Sequence, residues 1–123
     1  AWTKAQCLSA LAMPGHRLKG VEVGGELVGF AITRTIIDES ELLLLAVVPE
    51  QRGNGLGRML IENWLHDARN CGVRRAFLEM REDNPAAHLY RAMAFTPVGF
   101  RKSYYRGSDG VMRNAVSMEH LLG

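Results

Sequence analysis

An apolar run from Leu42 to Val48 breaks at Pro49 into a turn carrying glycines at 53, 55 and 57, and apolar residues resume at Leu56 with helical spacing. The run has the length and composition of a buried strand, and Pro49 ends it because proline cannot donate to a sheet ladder. Gly53, Gly55 and Gly57 leave the backbone bare, so consecutive N–H groups are able to converge on one anion at the positive end of the following helix. Arg52 and Arg58 flank the turn with full charges. A dinucleotide fingerprint needs G-x-G-x-x-G and a P-loop needs G-x-x-x-x-G-K-[ST]; glycines two apart with no Lys-Ser after them satisfy neither. On the glycines alone, a phosphate cradle and an ordinary tight strand-to-helix connection have nearly equal claims.

Composition narrows the class. The 123 residues suffice for one α/β core, and 47% hydrophobic with 23% charged residues is ordinary for a soluble globular domain. A net charge of +2 with scattered Lys and Arg gives no footprint for nucleic acid. Cys7 and Cys71 lack C-x-x-C or Cys/His spacing, so reduced thiols in a cytoplasmic setting are expected. No apolar stretch approaches the roughly 20 residues of a membrane span, and no signal-peptide pattern opens the chain. His16, His66, His88 and His120 share no ligand spacing, so no metal is predicted.

Periodicity sets out the elements. Thr3 caps a predicted helix to about Met13, closed by Pro14-Gly15. Leu18 to Val23 and Glu26 to Ile37 read as strands joined at Gly24-Gly25, and Asp38-Glu39-Ser40 is predicted to turn the chain into the Leu42 to Val48 strand. A helix is expected from Gly55 to about Asn70 with Leu56, Met59, Leu60, Trp64 and Ala68 inward, ended by Cys71-Gly72. Arg75 to Arg81 alternates as a strand, and Asn84-Pro85 opens a short helix carrying Leu89, Tyr90 and Met93. Two last strands, about Val98 to Tyr105 and Val111 to Met118, meet through residues 107–110.

This order, with R-x-x-G-x-G carried by Arg52, Gly55 and Gly57, resembles the acetyltransferase (GNAT) family. Further residues carrying the resemblance are Phe30 to Thr33, Ala46-Val47 with Pro49, Leu78-Glu79, Arg81, Asn84, Leu89-Tyr90, Phe95, and Arg101 with Tyr104-Tyr105 before Asp109-Gly110. The resemblance implies an α/β (α+β) fold with a central, mixed but mostly antiparallel sheet flanked by helices, as a single N-acetyltransferase domain over residues 1–123. Acetyl-CoA is the implied co-substrate, its pyrophosphate held by Arg52, Gly53, Asn54, Gly55, Leu56, Gly57 and Arg58. Its pantetheine arm would run along the backbone of Leu45, Ala46 and Val47, with Asn84 as a further hydrogen-bond partner. The implied acceptor is a protein N-terminal amine, and the implied branch acts on the N-terminal alanine of a small-subunit ribosomal protein.

Acetyl transfer to an amine needs a neutral amine, a stabilised oxyanion and a proton for the departing thiolate. Glu79 is the candidate base, because alternation puts it opposite Leu78 and Met80 on its strand, with Phe77 and Arg81. Without the resemblance it reads as a solvated strand carboxylate. Tyr90 is the candidate acid, otherwise a core tyrosine on an amphipathic helix. The oxyanion donor is expected from the backbone N–H of Ala46 or Val47. Tyr104 and Tyr105 are expected to wall the acceptor slot, although paired strand aromatics also simply cover cores. Asp38, Glu39 and Glu41 form an acidic turn that either attracts a basic peptide or is only solvated.

Departures from the family pattern bear on the acceptor. The family has a first strand and helix ahead of the position of Trp2, so a domain truncated at its N-terminus is expected, with the Leu18 to Val23 edge exposed to pairing. Ala94 stands where glycine is usual, and a left-handed cap there would strain alanine by on the order of 1 kcal/mol. Arg113-Asn114 replaces an acidic pair, and Leu44 a frequent asparagine. Two other readings therefore stay open: an acetyltransferase for small-molecule amines, and a non-catalytic acyl-CoA-binding domain.

Overall fold

Strand pairing starts at the glycine hairpin and runs outward into one six-stranded sheet. The computed structural model describes residues 15–123. Its strands are β1 (His16–Val23), β2 (Glu26–Ile36), β3 (Glu39–Val47), β4 (Arg75–Arg81), β5 (Thr96–Arg106) and β6 (Met112–Leu121). Its helices are α1 (Leu56–Asn70) and α2 (Ala87–Ala92), with a 3-10 turn at Pro49–Gln51. The predicted helix over residues 3–13 lies outside the described residues, as does Cys7.

The order across the sheet is β1-β2-β3-β4-β6-β5, and only β3 and β4 run parallel. That is the mixed, mostly antiparallel architecture expected. The parallel pair follows from the connection: α1 crosses over one face of the sheet between them, as a parallel neighbour requires. β1 and β5 are the two edges among the described residues.

The core lies between the sheet and the helices. Leu60, Ile61, Trp64, Leu65 and Ala68 of α1 pack against Ala31, Leu42, Ala76, Leu78, Met80 and Met118. Met59, predicted inward, is 38% exposed, while Ile61 and Leu65 are buried. The stripe is wider than predicted and rotated, because α1 covers several strands at once. Phe95 is 2% exposed and stacks on Trp64 at 5.9 Å, with the Tyr90 ring edge-on at 6.1 Å.

Several boundaries differ from expectation. The turn after β2 is Ile37-Asp38, and Glu39 and Ser40 already pair with Ile36 and Thr35. Ser40 is drawn into the strand by burial: its hydroxyl accepts the Trp64 indole N–H at 2.8 Å and meets the Thr35 hydroxyl at 3.0 Å. The Asn84 side chain accepts the Ala86 N–H at 2.9 Å, but a turn at Pro85-Ala86 delays α2 to Ala87. β5 and β6 are longer than predicted, and register between them slips from Arg101 to Tyr105. No helix among the described residues is long and apolar enough to cross a membrane.

Candidate active site

The glycine turn opens on a groove of about 660 Å³, within the size range of small-molecule sites. Its walls include Leu45, Ala46, Val47, Arg52, Gly53, Gly55, Leu56, Gly57, Arg58 and Asn84. Gly53 and Gly55 have φ of +84° and +78°, and a Cβ added at either would meet nothing within 4 Å. The turn therefore needs glycine for its backbone path, and the space above it is open to a ligand. Gly55 caps α1 without any side-chain bond, and the first turn of α1 contains no acidic residue. Its leading N–H groups and dipole are thus available to an anion. Arg52 is folded back, its Nε donating to the Val47 carbonyl at 3.1 Å, and Arg58 Nε donates to Glu62 at 2.9 Å across one turn.

Asn54 does not line this groove; its side-chain amide donates to Gln51 at 3.1 Å. Gln51, Pro85, Ala86 and Leu89 line it without having been predicted. Leu89 has a legible reason, since a Cβ on Gly57 would come within 3.1 Å of its side chain, so the helix start passes close to α2.

β3 and β4 pair only from Glu39↔Arg75 to Leu42↔Leu78 and then part. From Leu43 onward β3 keeps β2 as neighbour on one side and has no strand on the other. The Val48 N–H donates to Val28 at 2.8 Å, so by alternation Ala46 also faces β2, while Leu45 and Val47 present their backbone groups to the gap. Of the two candidate oxyanion donors, Val47 therefore points the right way and Ala46 does not.

A cavity of about 110 Å³ occupies the fork, lined by Leu42 to Leu45, Leu78, Glu79, Met80, Asn84 and Tyr90. Glu79 and Tyr90 are thus brought together, and Leu45 and Asn84 line both this cavity and the glycine groove. Tyr90 is 6% exposed, and burial pushes its phenol above the usual value. Among the described residues no buried polar side-chain atom is left without a partner, and Tyr90 lines this cavity.

Glu79 is not an unengaged carboxylate. Arg101 grips both its oxygens, Nη2 lying 2.7 Å from Oε1 and 2.6 Å from Oε2, with Nε 3.1 Å from Oε2. Ser117, its partner across β6, approaches at 3.5 Å. The Arg101 guanidinium also lies 4.0 Å from the centre of the Tyr104 ring, and Tyr105 meets Tyr104 edge-on at 5.1 Å. Arg101 carried the resemblance without an assigned role; no spacing signal joins it to Glu79, because the contact depends on the β4-β6-β5 order.

The acidic turn is largely ion-paired: Glu41 with Arg34 at 2.6 Å, and Glu39 with Arg75 at 3.0 Å. His120 is bonded to the Met93 carbonyl at 2.8 Å under Phe95, and no cluster of three metal-ligating side chains occurs among the described residues.

Comparison with known proteins agrees with this geometry. The family model described as Acetyltransferase (GNAT) family matches residues 2–95. A [Ribosomal protein bS18]-alanine N-acetyltransferase from Haemophilus influenzae is 38% identical over 101 residues, 82% of this chain and 68% of that protein. N-alpha-acetyltransferase RimI from Mycobacterium tuberculosis is 41% identical over 112 residues, 87% of this chain and 69% of the relative. The Escherichia coli enzyme of the same description as the Haemophilus one is matched over 59% of its length. The crystal structure of the ribosomal-protein-S18-alanine N-acetyltransferase from Escherichia coli superposes with a TM-score of 0.89 at 30% identity, covering 99% of this chain and 78% of that one. A family match over most of the chain, relatives near 40% identity and the forked sheet with its glycine turn lead to one conclusion: this chain belongs to the GNAT family of acetyltransferases.

Proposed function

We propose that this chain transfers an acetyl group from acetyl-CoA to a protein N-terminal amine, with the N-terminal alanine of a small-subunit ribosomal protein as acceptor. One observation carries the reading. Glu79 and Tyr90 line a single cavity where β3 and β4 part, and Leu45 and Asn84 line both that cavity and the glycine groove. The named activity of the relatives supports the choice of acceptor.

The residues present suit acetyl-CoA. Gly53, Gly55 and the uncapped start of α1 receive the pyrophosphate, with Arg52 and Arg58 supplying charge at the rim. The backbone groups of Leu45, on the edge that no strand covers, accept the pantetheine amides as an added strand, while Arg52 holds the Val47 carbonyl. Acetyl-CoA supplies an activated acyl carbon with a thiolate leaving group. Glu79 takes a proton from the incoming ammonium, and the neutral amine attacks the thioester carbon directly; the C–N bond forms, the nitrogen gives its second proton to solvent water, and the C–S bond breaks. An α-amine titrates near pH 8, so this deprotonation is a modest task. The Val47 N–H stabilises the developing oxyanion, and Tyr90, kept neutral by burial, gives its proton to the thiolate.

Titration with acetyl-CoA by calorimetry, followed by thiol release on adding an Ala-Arg-starting peptide, tests the reading. Micromolar binding with release is expected. Release only with polyamines or aminoglycosides overturns the acceptor, and binding without release overturns the catalytic reading.

A further inference from the structure

The Arg101 side chain occupies a place built for a cation. It is held between the Glu79 carboxylate, at 2.6 to 3.1 Å, and the face of Tyr104, at 4.0 Å. A carboxylate opposed to an aromatic face is a general arrangement for holding an ammonium or guanidinium group. Resting on the function proposed above, we infer that Arg101 stands in for the acceptor's ammonium when no acceptor is bound, so that only an acceptor with contacts beyond its amine displaces it.

Three features support the exchange. The Glu79 side chain is 22% exposed and that of Arg101 is 55% exposed, so the arginine has water to withdraw into while the carboxylate stays at the cavity. The segment that carries Arg101 is irregular. Arg101 pairs with Ala115 and Tyr105 with Arg113, so three residues of β5 lie opposite Asn114 alone. Ser103 takes φ +50° within that bulge and donates its N–H to the Asn114 side chain at 2.9 Å. The bulge turns Tyr104 out of the ladder and against the guanidinium. β5 is also an edge strand, so re-forming the bulge disturbs one ladder only.

The exchange replaces one cation by another and leaves Glu79 paired throughout, so neither state strands a half-buried charge. A small amine that merely takes Arg101's place gains little, because it gives up one exposed ion pair for another. A peptide gains the contacts of its second and later residues as well. The displacement costs every acceptor the same, so an acceptor is used only where contacts beyond its amine offset that cost.

The test compares the parent with Arg101→Gln and Arg101→Lys, each supplied with acetyl-CoA and either an Ala-Arg-starting peptide or alaninamide. The parent is expected to use the peptide and hardly to use alaninamide. Arg101→Gln is expected to raise kcat/KM about three- to tenfold for both acceptors, through KM, as removal of one exposed bidentate competitor that each amine must displace predicts. Arg101→Lys, which keeps a cation at the carboxylate, is expected to retain the parent's KM for both acceptors. A loss on either acceptor, an unchanged KM in the Gln variant, or a Lys variant that gains as much as the Gln variant overturns the inference while leaving the acetyltransferase reading intact. A parent that binds acetyl-CoA and releases no thiol with either acceptor overturns that reading and this inference with it.

Discussion

Besides Ser103 in the β5 bulge, two side chains among the described residues sit where their backbone disfavours them. Ala94 closes α2 with φ +66°, the left-handed cap anticipated from the sequence, and Phe95 then donates back to Tyr90 at 2.9 Å. Ala94→Gly is expected to stabilise the protein by roughly 0.5–1 kcal/mol, the relief of left-handed strain less the added freedom of the unfolded chain. A rise in the urea midpoint at constant slope checks this. Ile37 is the second case, at φ +58° and 91% exposed in the β2–β3 turn, and nothing in its local sequence announced it. A β-branched residue promises extended backbone, and only the pairing of Ile36 with Glu39 forces it to turn. The two candidate catalytic side chains differ in legibility in the same way. Alternation on β4 gave the side of Glu79, whereas its engagement with Arg101 had no local signal.

At the scale of elements, the join between β3 and α1 rests on a polar contact inside the core. Ser40 is 1% exposed and Trp64 4%, and the indole N–H has the Ser40 hydroxyl as acceptor. Ser40→Ala is expected to cost about 1–3 kcal/mol by leaving that donor buried and unsatisfied. Chemical denaturation measures the cost, and a neutral result would show that Trp64 finds another acceptor. The β5–β6 hairpin is held instead by surface charge. Arg113 bonds Asp109 at 3.0 Å and Asp83 at 2.9 Å. The Arg113 contact first, and the Val111 N–H second, lower the Asp109 carboxyl from 3.8 to about 2. A carboxyl depressed on folding contributes stability that is present above its unfolded value and lost as pH falls through its folded one. The hairpin is therefore expected to loosen between about pH 4 and pH 2, and Asp109→Asn to flatten that dependence. Amide exchange in the Gly107 to Gly110 turn over that range is the readout.

Across the whole molecule, the parting of β3 from β4 sets the cavity of Glu79 and Tyr90 beside the glycine groove, with Leu45 and Asn84 lining both. The two halves of the site should therefore fail separately. Arg52→Ala combined with Gly55→Asp is expected to abolish acetyl-CoA binding in calorimetry, because a carboxylate then opposes the phosphates at the start of α1. Tyr90→Phe is expected to keep that binding and lower kcat by about 10²-fold, the lower range for a general acid. Glu79→Gln is expected to cost only about tenfold with a peptide acceptor, since an α-amine near pH 8 needs little help to lose its proton. Parallel loss of binding in the Tyr90 variant would make that residue structural.

Local preference sufficed for the glycine hairpin after β1, the helix beginning past Gly55, its end at Cys71-Gly72 and the alternation of β4. Each of these is set within a few residues by backbone freedom, capping or side-chain period, and no distant partner alters it. Tertiary structure alone decided the rest. The fork in the sheet arises because α1 carries the chain across one face to a parallel neighbour that pairs over only part of β3. The Arg101 clamp on Glu79, the orientation of Val47 and the Ser40–Trp64 bond each join groups whose nearness depends on strand order and on which face is buried. Burial drives those pairings, and burial is a property of the assembled sheet rather than of any one segment.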